Sequence, residues 1–151
     1  MKHYSRVWAQ IDLDQFDQNL LEIRKKLSGN ASVIGVVKAD GYGHGAVPLA
    51  KRMQNLDFVS GFAVATAQEG LILRRAGISK PILVLGYTFP QEYGDMAREN
   101  ISAAVFTDAM LEQMGRVALS ARCEMGVHVA VDTGMSRIGV EPDDSGAAFV
   151  N

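Results

Sequence analysis

The sequence predicts an α/β fold in which parallel strands alternate with helices, and three observations support this prediction. Short runs rich in Val and Ile recur along the chain, separated by segments of about ten residues with helical periodicity. This alternation is typical of right-handed βαβ crossovers, which place the strands in one parallel sheet. The 151 residues are 48% hydrophobic and 21% charged, so the composition allows one sizeable core.

One predicted strand stands apart from the regular alternation, near the amino terminus. It is VWAQIDL, and a helix is predicted to follow it after Asp14. This helix has apolar residues roughly at helical spacing and ends at a glycine: Phe16, Leu20, Ile23, Leu27 and Gly29. The pattern therefore places one strand and one helix ahead of the repeating unit.

The regular alternation contains five further predicted strands. They are ASVIGVVKA, GFAVAT, PILVLGY, ISAAVFT and MGVHVAVDTG. Helices are predicted from about Ala46 to Gln54 and in AQEGLILRRAG, QEYGDMAREN and DAMLEQMGRVALSA, the last of them capped by Asp108. ASVIGVVKA is apolar almost throughout, so we expect this strand to be buried on both faces.

Five parallel strands fit two architectures, a small doubly wound sheet or slightly more than half of an eight-stranded (β/α) barrel. The last residues, EPDDSGAAFVN, have the pattern of the first turns of another helix. A parallel barrel that stopped there would expose open strand edges, which proteins normally cover. We therefore expect the chain to be part of a longer protein.

Composition and charge exclude several classes of protein. The formal net charge is −2 with both signs interspersed, so nothing predicts a nucleic-acid partner or binding to an anionic membrane. The amino terminus lacks both a signal-peptide core and an apolar span of roughly 18 residues, which predicts a cytoplasmic protein. Cys123 is the single cysteine, so no internal disulfide is predicted. The three histidines, His3, His44 and His128, lack the spacing of metal ligands, so no metal site is predicted.

Lys38 stands at the end of an apolar run and is followed at once by glycines, in VVKADGYGHG. Functional groups of parallel α/β folds gather beyond the carboxyl ends of the strands, where Lys38 is predicted to lie. A neutral lysine amine there can attack an aldehyde and so hold pyridoxal phosphate covalently, with Tyr42 offering its hydroxyl to the phosphate. The pattern is equally typical of a solvated lysine before an ordinary turn, so spacing alone leaves both interpretations open.

VVKADGYGHG resembles the cofactor-lysine signature of the alanine racemases, which are fold-type III pyridoxal-phosphate enzymes. WAQIDLDQFDQNL resembles the opening of that family, and PILVLG and VDTGMSRIGV resemble two further blocks in the same order. Four blocks over nearly the whole chain make the resemblance specific. It implies that residues 1–151 are the amino-terminal segment of a TIM-like (β/α) barrel, without the remaining barrel and a carboxyl-terminal β domain, which the WAQIDL strand would join.

The resemblance implies roles for five residues, with pyridoxal 5'-phosphate as the cofactor. Lys38 matches the lysine that holds the cofactor covalently and, once released, exchanges a proton at Cα of the amino acid. Tyr42 matches a tyrosine that bonds the cofactor phosphate, and Val36 and Leu85 match apolar residues beside the cofactor. Arg137 matches an arginine that contacts the phenolic oxygen of the cofactor and orients the substrate carboxylate.

The implied activity is the interconversion of L-alanine and D-alanine for peptidoglycan, by a cytoplasmic homodimer. In the family the second catalytic base is a tyrosine from the carboxyl-terminal domain of the partner subunit, and none of the four tyrosines here lies in a matching block. We therefore expect residues 1–151 alone to be inactive. The alternatives are a serine racemase of the same family and a non-catalytic barrel module that binds pyridoxal phosphate.

Ala130 departs from a common pattern of the family. Many members carry a lysine, often carbamylated, seven residues before the arginine that Arg137 matches, and its negative charge steadies that arginine. Alanine offers no charge. The hypothesis that follows is a small anion, such as chloride, in the vacated space beside Arg137.

Overall fold

A computed structural model describes residues 7–150 of the chain, which form one parallel sheet with helices packed against it. The five strands are β1 (Val33–Val36), β2 (Val59–Val64), β3 (Ile82–Val84), β4 (Ile101–Val105) and β5 (Val127–Val129). The right-handed helices are α1 (Leu13–Lys26), α2 (Ala46–Met53), α3 (Ala67–Arg75), α4 (Tyr93–Arg98), α5 (Asp108–Ala121) and α6 (Asp144–Val150), with a 3₁₀ turn at Pro90–Glu92. The five strands of the predicted alternation are thereby confirmed.

The order of the strands distinguishes between the two predicted architectures. Neighbours in the sheet are consecutive in sequence, β1-β2-β3-β4-β5, and every pairing is parallel. A doubly wound sheet reverses its strand order at a switch point, whereas a (β/α) barrel adds each new strand on the same side of the last. The described residues therefore form part of a barrel wall, as predicted.

Helices cover one face of this sheet and leave the other open. Phe62, Ile82 and Ile101 are each about 1% exposed and form the core beneath the helices, together with Leu73 and Met96 from the helices themselves. Tight packing requires small residues at close approaches, and a Cβ on Gly70 of α3 would lie 3.2 Å from the Ile101 side chain.

The expectation that β1 is buried on both faces is wrong. Ile34 and Val36 are 49% and 43% exposed, whereas Gly35 between them is buried. The register continues their face across the sheet through Val36, Ala63, Leu83 and Ser102. This open face corresponds to the interior of a barrel. Among residues 7–150 nothing covers Ile34 and Val36, whereas the small side chain of Ala63 is only 2% exposed.

Two predictions near the amino terminus are also wrong. The VWAQIDL segment forms no strand, because no described strand runs beside it to complete a hydrogen-bonded ladder. The helix begins at Leu13 instead of after Asp14, since the Asp12 carboxylate accepts the N–H groups of Asp14 (3.0 Å) and Gln15 (2.9 Å).

Thr107, and not Asp108, caps α5. Its hydroxyl oxygen accepts the Met110 N–H at 3.3 Å, and Asp108 is already the first helical residue. An acidic residue in the first turn still complements the helix dipole. None of the helices in the described part of the chain has the length and apolar character that crossing a membrane requires.

Candidate functional site

Lys38 lies directly past the carboxyl end of β1, at the rim of the sheet. The ladder continues to this point, because the Val37 N–H donates to the Ala63 carbonyl at 2.9 Å. Val37 is buried on the helix side and has ψ 22°, so the extended conformation ends there and Lys38 follows at the rim of the sheet. Leu85 reaches the corresponding level two strands away, where its N–H donates to the Val64 carbonyl at 2.8 Å.

The segment after Lys38 is one turn of left-handed helix. Ala39, Asp40, Gly41 and Tyr42 have φ values of 51°, 52°, 62° and 54°. Amide hydrogen bonds close the turn, from Gly41 to the Val37 carbonyl (2.9 Å) and from Gly43 to the Ala39 carbonyl (3.1 Å). The left-handed conformation costs non-glycine residues about 1–2 kcal/mol each, so surrounding contacts must hold the turn in place.

Two carboxylates hold the left-handed turn. Asp40 Oδ1 accepts the Ala46 N–H at 2.8 Å, which ties the turn to the start of α2. Glu69 Oε1 accepts the Ala39 N–H at 2.7 Å, which ties it to α3. Gly41 is required at the centre, because a Cβ there would lie 2.9 Å from Leu49 Cδ1 and 3.2 Å from the Ala46 nitrogen.

The turn brings Tyr42 back toward Lys38. The Lys38 Nζ atom lies 5.9 Å from the centroid of the Tyr42 ring, within the range of a cation–π contact. Tyr42 is 60% exposed, so its hydroxyl is accessible to a ligand. Tyr42 and Val36 line one cavity, of about 510 Å³, between β1 and α1.

A second cavity, of about 410 Å³, brings Arg137 together with Leu85 and Ala130. It lies at the carboxyl ends of β3, β4 and β5 on the open face of the sheet, and its volume falls within the range of small-molecule sites. The small side chains of Ala104 and Ala130 leave this space open. Lys38 lines neither cavity, so the five predicted residues lie along one rim without sharing a single pocket.

The loop that carries Arg137 is organised by Asp132. Asp132 Oδ1 accepts the N–H groups of Gly134 (2.9 Å) and Ser136 (3.0 Å), and these bonds, Ser136 foremost, lower the pKa of the carboxyl group. Gly139 closes the loop at φ 120°, where a Cβ would lie 2.5 Å from the Asp132 nitrogen.

Sequence reasoning missed Glu69. The T-x-x-E pattern at Thr66 was a usable signal for it, since it predicts a capping box. The sequence does predict that Asp132 shapes its loop, and its bonds to Gly134 and Ser136 agree with that prediction. No cluster of His, Cys, Asp and Glu side chains suited to a metal ion occurs among residues 7–150, and His3 lies outside them.

Comparisons with known proteins show the family to which the chain belongs. The family model described as "Alanine racemase, N-terminal domain" matches residues 11–151. Among curated proteins, the chain is 42% identical to the alanine racemase of Desulforamulus reducens over 95% of this chain and 39% of that protein. It is 41% identical to the alanine racemase of Desulfovibrio desulfuricans over 93% of this chain and 38% of that protein.

Solved structures give the same result. An alanine racemase of Clostridium difficile 630 matches 99% of this chain and 39% of its own chain, with TM-score 0.93 and 37% identity. A Bacillus anthracis alanine racemase with bound L-Ala-P matches with TM-score 0.89 and 31% identity, over 99% of this chain and 38% of its own. The chain thus spans about two fifths of the length of its relatives. By sequence and by fold, it belongs to the family of alanine racemase N-terminal domains.

Proposed function

We propose that the chain forms the cofactor-lysine part of a pyridoxal-phosphate-dependent alanine racemase, which interconverts L-alanine and D-alanine. The observation that carries this proposal is the position of Lys38, directly past the carboxyl end of β1 in a partial barrel. In parallel barrels this is the end where active sites lie. Arg137 and Leu85 line a cavity at the same end of the sheet.

The residues along the rim suit pyridoxal phosphate. Lys38 offers an amine for the aldehyde, Tyr42 an exposed hydroxyl for the phosphate, and Arg137 a planar guanidinium for the phenolic oxygen. Val36 and Leu85 present apolar surface to a ring, being 43% and 36% exposed on the open face. When bound, the cofactor withdraws electrons from the substrate Cα and so makes its proton removable.

In this proposal Lys38 holds the cofactor, and its released amine moves a proton at one face of the substrate Cα. Arg137 orients the substrate carboxylate, because its fork of donors matches two carboxylate oxygens. The opposite face needs a second base. Tyr93 does not fit that role, since it is buried, its hydroxyl donates to the Thr88 carbonyl at 3.1 Å and burial raises its pKa.

In this proposal the second base lies outside residues 7–150, as the family resemblance implies. A tyrosine of the partner subunit in a homodimer, as the family resemblance implies, would complete the reaction. Residues 1–151 alone should then show no measurable racemisation, and clear turnover of alanine by this chain would contradict the proposal. Peptidoglycan precursors are the proposed destination of the D-alanine, and the cytoplasm the proposed compartment.

Covalent labelling tests the assignment of Lys38. The purified chain is mixed with pyridoxal phosphate, reduced with borohydride, digested and analysed by mass spectrometry. We expect the label on the peptide that contains Lys38 and its loss in Lys38→Ala. Lys51→Ala, which removes an exposed lysine from α2, is the matched control and should label normally. Equal labelling of all exposed lysines would contradict a specific site.

A chimera tests the activity itself. The chain is fused to the part of the Desulforamulus reducens alanine racemase that follows the matched segment. We expect this chimera to racemise alanine and its Lys38→Ala form to be inactive. A chimera that folds and binds pyridoxal phosphate at Lys38 but leaves alanine unchanged would refute the racemase assignment while preserving the cofactor site.

A further inference from the structure

The Glu69 carboxylate joins three segments of the rim. Oε1 accepts the Ala39 N–H at 2.7 Å, across thirty positions of sequence. Oε2 accepts the N–H groups of Ala65 (2.7 Å) and Thr66 (3.3 Å), where β2 gives way to α3. Glu69 is half-buried, and hydrogen bonds to a charged acceptor are stronger than those between neutral groups.

Helix capping accounts for only part of this arrangement. In the capping box of α3 the Thr66 hydroxyl accepts the Glu69 N–H at 3.3 Å, and the Glu69 carboxylate accepts the Thr66 N–H. That box needs a single carboxylate oxygen. The second oxygen bonds Ala39, which belongs to neither α3 nor β2.

The bond to Ala39 fixes the peptide that leaves Lys38. Ala39 is the first residue of the left-handed turn, at φ 51°, and its N–H belongs to the peptide unit shared with Lys38. The preceding side is fixed as well, because the Val37 carbonyl, which belongs to the peptide unit before Lys38, accepts the Gly41 N–H at 2.9 Å. With both flanking peptides held, the direction of the Lys38 Cα–Cβ bond is determined.

We propose that Glu69 is a positioning residue for Lys38, which it acts on through the Ala39 peptide. The inference rests on the proposed function for its consequence, the presentation of the Lys38 amine to the cofactor aldehyde. Its structural core, the anchoring of a strained turn by the Glu69 carboxylate, stands independently of any cofactor. Precise placement of a reacting group is worth large rate factors, so a loosened turn slows the reaction at Lys38.

Hydrogen exchange of the chain tests the anchoring. Glu69→Gln keeps one oxygen and therefore cannot serve Ala39 and the Ala65–Thr66 pair together. Thr66→Ala is the matched control, because it removes the other half of the capping box and leaves the carboxylate. We expect the Ala39 amide to lose protection by about tenfold or more in Glu69→Gln and by less than about twofold in Thr66→Ala. Equal losses in the two variants would overturn the proposal.

Two further measurements separate positioning from general loosening. Glu69→Asp keeps the charge but has a shorter side chain, so it should also lower the protection of the Ala39 amide. This variant serves as the test if Glu69→Gln does not fold. The rate of borohydride-trapped labelling of Lys38 by pyridoxal phosphate should fall about tenfold in the Glu69 variants and stay unchanged in Thr66→Ala. An unaltered labelling rate in a variant with an unprotected Ala39 amide would refute the positioning role. Absence of Lys38 labelling in the chain without substitutions would refute the cofactor site. Hydrogen exchange at the Ala39 amide would still show whether Glu69 anchors the turn.

Discussion

The Nζ atom of Lys38 lies 5.9 Å from the centroid of the Tyr42 ring, four residues further along the chain. A strand continuing from β1 would carry the two side chains steadily apart, since it rises about 3.3 Å per residue. The left-handed turn returns Tyr42 to the rim instead. The proposed covalent anchor and the proposed phosphate ligand are therefore linked by the backbone conformation between them.

This geometry predicts separate effects for the ring and the hydroxyl of Tyr42. Tyr42→Phe keeps the ring beside Lys38 and removes the hydroxyl, so the affinity for pyridoxal phosphate should fall about tenfold. Tyr42→Ala also removes the ring and should weaken binding further. Titration of the chain with the cofactor, followed by absorbance, measures both. Tyr87→Phe is the control, because Tyr87 packs against Phe89, with ring centroids 5.2 Å apart, and should have no effect.

The Asp132 loop predicts a dependence on pH. The pKa of Asp132 is lowered by the N–H groups of Ser136 and Gly134, so the folded loop favours the charged form. Its contribution is complete above the unfolded-state pKa and is lost as the pH falls through the lower, folded value. Amide resonances of Gly134 and Ser136, followed by NMR from neutral to acidic pH, should shift together in that range.

Asp132→Asn provides the control for this titration. The amide cannot ionise and still offers one oxygen, so the acid-dependent shift should vanish from Gly134 and Ser136. Asp143→Asn should leave it unchanged, since Asp143 bonds Ser145 and Gly146 at the start of α6. Titration of the two amides at the ordinary aspartate pKa would contradict the lowered value.

Replacement of Arg74, which lies away from the rim, is predicted to lower the stability of the fold. Its guanidinium donates to the carbonyls of Ile78 (2.8 Å), Lys80 (2.7 Å), Glu99 (2.8 Å) and Asn100 (2.8 Å), and burial lowers its pKa. Arg74→Met would leave these acceptors without the charged donor, at a cost of about 2–4 kcal/mol in the free energy of unfolding.

Urea unfolding measures this loss, with Arg75→Met as the control. Arg75 is the neighbouring, exposed residue of α3, and its replacement should change the free energy of unfolding by less than about 0.5 kcal/mol. Labelling of Lys38 should be normal in both variants under conditions where they are folded. Similar stabilities for the two variants would show that the carbonyl contacts of Arg74 contribute little.

The sequence predicted the sheet well because its periodicity is local. Five apolar runs separated by helical segments specify strand and helix without knowledge of their neighbours. Burial was harder to predict, since Ile34 and Val36 have the composition of a doubly buried strand and yet are 49% and 43% exposed. The composition of a strand shows that both of its faces are apolar. Whether each face is covered depends on residues elsewhere in the chain.

The candidate site also contains features that the sequence predicts and features that it does not. Lys38 and the glycines after it could be recognised in the sequence, and Gly41 does have positive φ. The left-handed conformation of Ala39, Asp40 and Tyr42 could not be predicted, because non-glycine residues disfavour it. Tertiary contacts such as the hydrogen bond between Ala39 and Glu69 hold this conformation. The local sequence around Lys38 cannot indicate a partner that lies thirty positions away.

Ala130 and Arg137 line the same cavity, so the hypothesis of a small anion beside Arg137 can be tested. Ala130 adds no negative charge, and its backbone is held at the end of β5 by bonds to Val105 (2.9 Å) and Val140 (2.8 Å). We expect the Nε–H resonance of Arg137 to shift saturably as chloride is added. Ala130→Leu fills the space with carbon, so the saturable shift should disappear there.

Size and donor geometry provide the controls for this anion site. Sulfate is larger than chloride, so at matched ionic strength it should produce only a small, linear change at Arg137. An anion held beside Arg137 should also make the affinity for pyridoxal phosphate depend on chloride. Arg137→Lys removes the planar fork of donors and should abolish that dependence, because an ammonium group binds as a point charge. Arg116→Lys, on the exposed surface of α5, should preserve it. A linear response to chloride that is identical in Ala130→Leu would mean that ions only screen the Arg137 charge, and Arg137 would then orient the carboxylate without an anion beside it.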